Sequence, residues 1–129
     1  MLKKLFLLCL TLLSICSTCF ANDNLRVALV YGQYSAEISC DDEFTVEDLA
    51  TGKVNTIPEG KYFLNVKEGK LTMGEHTFSN KIAINRFEGK SLPQINKRRY
   101  AGALVAQTQG DRLLVNNIVN LELYLCSVL

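Results

Sequence analysis

Apolar and polar residues alternate along most of this chain in short runs separated by glycine. Residues 25–30, Leu-Arg-Val-Ala-Leu-Val, form a compact apolar run that predicts a well-buried strand. Residues 36–40 alternate, with Ala36, Ile38 and Cys40 on one face, which suits a strand with one wet side, and Phe44 and Val46 continue the pattern. Tyr62, Leu64 and Val66 share a face, and Leu71 and Met73 answer them across a turn at Glu68-Gly69. Residues 81–87 give another alternating run. Residues 100–106 and Leu113-Leu114-Val115, on either side of Gln109-Gly110-Asp111, read as one β-hairpin.

The end of the chain changes period. Leu121, Tyr124, Leu125 and Val128 recur at offsets of three, four and seven, one face of a short helix for which Asn120 is a reasonable N-cap. Leu123, Cys126 and Leu129 make the other side apolar too. A helix apolar all round must be buried, so the pattern predicts a domain truncated before the polypeptide that covers it. The expected fold class is therefore mostly β: an antiparallel meander of hairpins with a short C-terminal helix.

Glu-Gly-Lys recurs at 59–61, 68–70 and 88–90, and Thr-Gly-Lys stands at 51–53. These read as turns of the meander, with charges keeping the loops in water. Gly89-Lys90-Ser91 is not a phosphate loop. The required earlier glycine is replaced by Ile84, and Pro93 interrupts any following helix. Pro93 and the polar stretch 94–99 mark a boundary between a β-rich region, 22–92, and a second unit, 93–129. Lys97-Arg98-Arg99 is the only dense basic run and reads as a solvated loop.

The beginning of the chain has its own signature. A basic start with Lys3 and Lys4, an apolar run over 5–15 and small residues up to Ala21 predict a signal peptide over 1–21. The run is shorter than the roughly 20 apolar residues of a membrane span, although an uncleaved anchor is the alternative. Lipid attachment at Cys16 or Cys19 is disfavoured by the bulk of Ile15 and Thr18 before them. Cleavage takes the net charge from +1 to −1, since two lysines leave and no acid does. Such a balance argues against an electrostatic nucleic-acid binder. Cys40 and Cys126 are the cysteines that stay, and pairing and two separate thiols are both open to them.

The residues from Tyr100 onward resemble the family of stage II sporulation protein D and its amidase-enhancer relatives. That family has a Tyr-x-Gly-x-Leu strand, here Tyr100, Gly102 and Leu104. A strand ending in Asn follows, then x-(Val/Leu)-x-Leu-Glu-x-Tyr-Leu-x-x-Val-(Val/Leu). Here those positions are Asn117, Val119, Leu121, Glu122, Tyr124, Leu125, Val128 and Leu129, without a gap. Asn116, Asn120 and Leu123 depart from the usual apolar residue, proline and acid. The resemblance implies that residues 93–129 open a domain of this family. It implies an exported protein of the periplasm or cell envelope that acts in peptidoglycan remodelling, with glycan strands and a cell-wall amidase as partners. Its relatives cleave glycan strands as lytic transglycosylases or enhance an amidase. The family's catalytic Glu lies in a Pro-x-Glu-Met segment past the position of Leu129, so no catalytic residue is expected within these residues and the fragment is expected to be inactive.

Glu122 and Tyr124 are the candidate substrate-binding residues. Each also has a structural reading. Glu122 in a first helical turn is favoured by the helix dipole, which holds a carboxylate charged and so suits it poorly as a neutral-pH acid. Tyr124 packs on the buried face, or offers its ring to a sugar. Other chemistries fail on inventory. His76 is the only histidine and stands apart from any metal-spaced partner. No Gly-x-Ser-x-Gly elbow and no dinucleotide fingerprint occurs. No cofactor is expected. The alternative function is a non-catalytic exported β module that binds a wall or protein partner.

Overall fold

The computed structural model of the protein describes residues 24–120. These residues form twelve strands: β1 (Asn24–Gln33), β2 (Ser35–Cys40), β3 (Phe44–Asp48), β4 (Val54–Ile57), β5 (Gly60–Lys67) and β6 (Lys70–Met73), then β7 (His76–Thr77), β8 (Lys81–Arg86), β9 (Gln94–Ile95), β10 (Arg98–Arg99), β11 (Ala103–Gln109) and β12 (Arg112–Asn120). The mostly-β expectation holds. The expected C-terminal helix and the expected signal peptide fall outside the described residues, apart from Asn120, which ends β12.

Two six-stranded antiparallel sheets make up the fold, ordered β1-β12-β11-β8-β3-β4 and β10-β9-β2-β5-β6-β7. This is not a plain meander, because the chain changes sheet between β1 and β2, β2 and β3, β4 and β5, β7 and β8, β8 and β9, and β10 and β11. The hairpins expected from turn chemistry do form. Leu64 pairs with Met73 and Val66 with Leu71. Between them Glu68 (φ 53°) and Gly69 (φ 74°) both take positive φ, as a two-residue hairpin turn demands. The Glu-Gly-Lys segments at 59–61 and 88–90 are different. They stand where the chain passes from one sheet to the other, between β4 and β5 and between β8 and β9.

Alternation on the strands sends one set of side chains from each sheet into a shared core. Val46, Ile57, Ile82, Ile84, Leu104 and Val115 come from the first sheet, and Ile38, Leu64, Leu71, Met73 and Ile95 from the second. The Phe44 and Tyr62 rings meet edge to face across the layers, with centroids 6.0 Å apart. Strand β12 packs across β2 and β5, and β11 across β6.

Two expectations are corrected. The apolar run 25–30 is not well buried. It belongs to β1, an edge strand on which only Val30 is buried, and irregularities between Ala28 and Val30 and between Tyr31 and Gln33 break its phase. Residues 81–87 do not alternate throughout. Ile82, Ala83 and Ile84 are consecutively buried because β8 is central, held between β11 and β3. The described residues on either side of Pro93 pack together. Strands before and after it share both sheets, and Ile95 and Leu104 lie in the same cluster as Ile38 and Ile84.

Candidate functional site

The motif positions from Tyr100 to Val119 converge at one place. Gly102 lies in the link that enters β11 and has φ +87°, a conformation costly for any residue with a Cβ. A Cβ there would stand 2.6 Å from both the Ile118 carbonyl oxygen and Val119 Cγ1. Asn117 lies directly opposite Leu104 in the β11–β12 pair. Its Nδ2 donates to the carbonyl oxygens of Ala101 (2.8 Å) and Ala103 (3.2 Å), the residues on either side of Gly102. Leu104 and Val119 are buried on the same inner side, and Tyr100 packs against the core. The side-chain amide thus supplies a donor to the carbonyl of Ala101, which precedes β11, and to that of Ala103 at the strand's start. The result is a clamp between the link into β11 and the end of β12.

A second buried polar group, Asp48 at the end of β3, faces the opposite kind of orphan. Its Oδ1 accepts from the Ala50 amide (3.0 Å) and its Oδ2 from the Ser79 amide (2.9 Å). Burial pulls its pKa upward, but hydrogen bonds from the Ser79 amide and hydroxyl and from the Ala50 and Thr51 amides outweigh that and hold the carboxyl below its ordinary 3.8. Asp42 is lowered as well, chiefly by the Ser91 amide, which donates to its Oδ2 at 2.8 Å, then by the Ser91 hydroxyl and the Lys90 charge, against a smaller upward pull from burial. Asp42 also lines, with Glu43, Pro58 and Glu59, an open cleft of about 340 Å³. No cluster of metal-ligating side chains occurs among the described residues.

The outward face of the second sheet is polar around one aromatic ring. Pairing fixes its rows: Arg99, Gln94, Ser39 and Lys61; then Glu37 and Phe63; then Ser35, Asn65, Thr72 and Thr77; then Lys67 and Lys70. Phe63 is 56% exposed. Glu37 is largely covered, and its Oε1 accepts no hydrogen bond, although Lys61 Nζ lies 3.7 Å away. Asn96 extends this edge by pairing with Glu37 twice, donating its amide to the Glu37 carbonyl (2.9 Å) and accepting the Glu37 amide at its own Oδ1 (3.0 Å).

Comparison with protein-family models, with curated proteins and with solved structures finds no match. The residues themselves therefore carry the assignment of roles. Glu122 and Tyr124 lie outside the described residues, two and four positions past the end of β12. Cys126 lies outside them too, while Cys40 is a buried free thiol whose Sγ sits 3.5 Å from the Ser91 carbonyl oxygen. His76 stacks on Phe78, with ring centroids 6.1 Å apart. The basic run at 97–99 is the β9–β10 turn and strand, with Arg99 bound to Asp41 at 2.8 Å. Sequence reasoning missed Asp48 and Phe63, yet both had a signal. Asp48 falls in phase with the inward Phe44 and Val46, and Phe63 falls out of phase with the inward Tyr62 and Leu64.

Proposed function

We propose that this chain serves in bacterial peptidoglycan remodelling, as an exported envelope protein whose β sandwich holds and aims the segment after Asn120 rather than performing bond cleavage itself. The observation that supports this reading is the clamp. Gly102, Leu104, Asn117 and Val119, four of the positions through which the sequence resembles the stage II sporulation protein D family, meet in one interlocked junction near the end of β12. Glu122 and Tyr124, which follow β12 in sequence, are the candidate glycan-contacting residues.

The carboxylates point the same way. Protonating a glycosidic oxygen at neutral pH needs an acid whose pKa is raised. Asp42 and Asp48, whose titrations are displaced among the described carboxyls, are both lowered. They are built to stay charged and hold loop amides.

The test is sedimentation of the full chain with purified peptidoglycan sacculi, followed by analysis of soluble products and by an amidase assay on the same sacculi. The expected result is co-sedimentation, no muropeptide release by the chain alone, and faster amidase release when the chain is added. A chain that stays in the supernatant and leaves the amidase rate unchanged would remove the wall role. Release of muropeptides by the chain alone would move catalysis into it and overturn the holding role.

A further inference from the structure

We propose that the outward face of the second sheet is a binding surface for an acidic polysaccharide, centred on Phe63. The site is independent of the junction at Asn117 and lies on the other sheet. An aromatic ring standing 56% exposed on the outward face of a sheet offers an apolar platform to the C–H face of a sugar ring. Glu37 stands directly across from Phe63, Lys61 and Asn65 flank it along β5, and Ser35 and Ser39 lie diagonally across on β2. Hydroxyls and amides both donate and accept, which is what sugar hydroxyls require.

Charge selects the class of sugar. The strand positions of this face carry Lys61, Lys67, Lys70 and Arg99 against Glu37 alone, and Glu37 is largely covered. Lys61 and Lys67 stand at opposite ends of β5, about 20 Å apart at the rise of an antiparallel strand. Glu37 draws the Lys61 ammonium to the margin of Phe63, and Asp41 occupies Arg99. Lys67 and Lys70 face each other across the β5–β6 pair with no ion pair among the described residues, and Glu68 in the turn between them is the nearest acid in sequence. A centre where Glu37 and Lys61 offset each other, with the two adjacent cations Lys67 and Lys70 at one end, matches a polymer of sugars bearing carboxylates. Single-stranded nucleic acid is a poorer fit, since it asks for successive stacking rings and a continuous cationic track.

The test is affinity electrophoresis of the full chain through gels containing polygalacturonate, dextran or polyglutamate, with oligo-dT binding read by fluorescence anisotropy. Polygalacturonate is expected to retard the chain, and the other polymers to retard it little. Phe63→Ala is expected to weaken retardation about tenfold while Phe63→Tyr retains it. Lys67→Gln with Lys70→Gln is expected to weaken it severalfold and to reduce its salt dependence. These side chains are exposed, and an unchanged thermal melt checks that the variants fold. Equal retardation by polyglutamate, equal retardation by dextran, tighter binding to oligo-dT, no retardation at all, or indifference to Phe63→Ala would each overturn the proposal. Sacculus sedimentation that persists in Phe63→Ala while polygalacturonate retardation is absent would discard this surface and leave the wall role standing.

Discussion

Asn117 and Asp48 solve one problem with opposite chemistry. Both are buried polar residues of the first sheet, and both tie an irregular segment to a strand. The link at 101–103 exposes carbonyl oxygens, and Asn117 meets them with a neutral donor. The segments at 50 and 79 expose amides, and Asp48 meets them with a charged acceptor. A buried backbone group must find a partner, and its polarity dictates which side chain the strand supplies. The two devices therefore differ in how they answer to volume and to pH.

The largest effect is expected where the clamp leaves no room. Gly102→Ala places a Cβ 2.6 Å from a backbone oxygen and a packed methyl, at a φ of +87°. Left-handed strain and overpacking together are expected to destabilise the fold by about 2–5 kcal/mol. Chemical denaturation should show a midpoint shift with little pH dependence. A midpoint within error of the parent would mean that the link moves freely and that the junction does not aim the following segment.

Changing the polarity of the clamp should come next. Asn117→Leu leaves the Ala101 and Ala103 carbonyls without their donor and is expected to cost about 1–3 kcal/mol, independent of pH. Asn117→Asp is the sharper variant. A carboxylate would face two carbonyl oxygens, so its protonated form is favoured in the fold and its folded pKa is raised. The stability it retains is present below the unfolded carboxyl value and is lost as pH rises through the folded one. Denaturation midpoints of this variant should fall between acid and neutral pH, while those of Asn117→Leu stay level.

Much of this architecture was legible in the chain. Alternation at 36–40 and 62–66, and the Glu68-Gly69 turn that sets Leu71 and Met73 opposite Val66 and Leu64, are local facts, and the structure keeps them. What the chain could not show was which neighbour each strand takes. The run 25–30 reads as core by composition but, among the described residues, sits at an edge, because its one strand partner there is β12, far away in sequence. Pro93 reads as punctuation between units, yet the residues after it pair with β2. For the candidate site, the spacing from Tyr100 to Val119 was visible before the reason for it. The need for glycine at 102 arises from Ile118 and Val119 across a sheet pair. Phe63 was legible from the phase that Tyr62, Leu64 and Val66 set, which turns it outward, although an aromatic between two apolar residues looks like core in any window.

The Asp48 knot should break more gently, and on the acid side. Its folded pKa lies below the ordinary 3.8, so the stability it contributes is present above that value and is lost as pH falls through the lower folded value. Asp42 adds to the same limb with the same sign. Asp48→Asn keeps the shape but turns one acceptor into a donor, and is expected to cost about 1–2 kcal/mol at neutral pH through one amide left unmatched. Midpoints measured from neutral pH down past the ordinary carboxyl value should fall less steeply in the variant than in the parent. A variant with an acid limb as steep as the parent's would show that Asp48 titrates alike folded and unfolded.

Glu37 supplies the smallest expected effect and the control for both devices. It too is a largely covered polar side chain on a strand, but it faces outward, and its Oε1 holds no hydrogen bond. Its ion-pair partner, Lys61, is 59% exposed at 3.7 Å, and pairs of that kind contribute about 0–1 kcal/mol. Removing the side chain strands no backbone group, because Asn96 binds the Glu37 main chain and not its carboxylate. Glu37→Ala is therefore expected to change stability by less than about 1 kcal/mol, with added salt narrowing even that difference. If its loss in denaturation rivalled that of Asn117→Leu, coverage alone would govern the cost of deleting a polar group here, and the match between side-chain chemistry and orphaned backbone would not explain why Asn117 and Asp48 stand where they do.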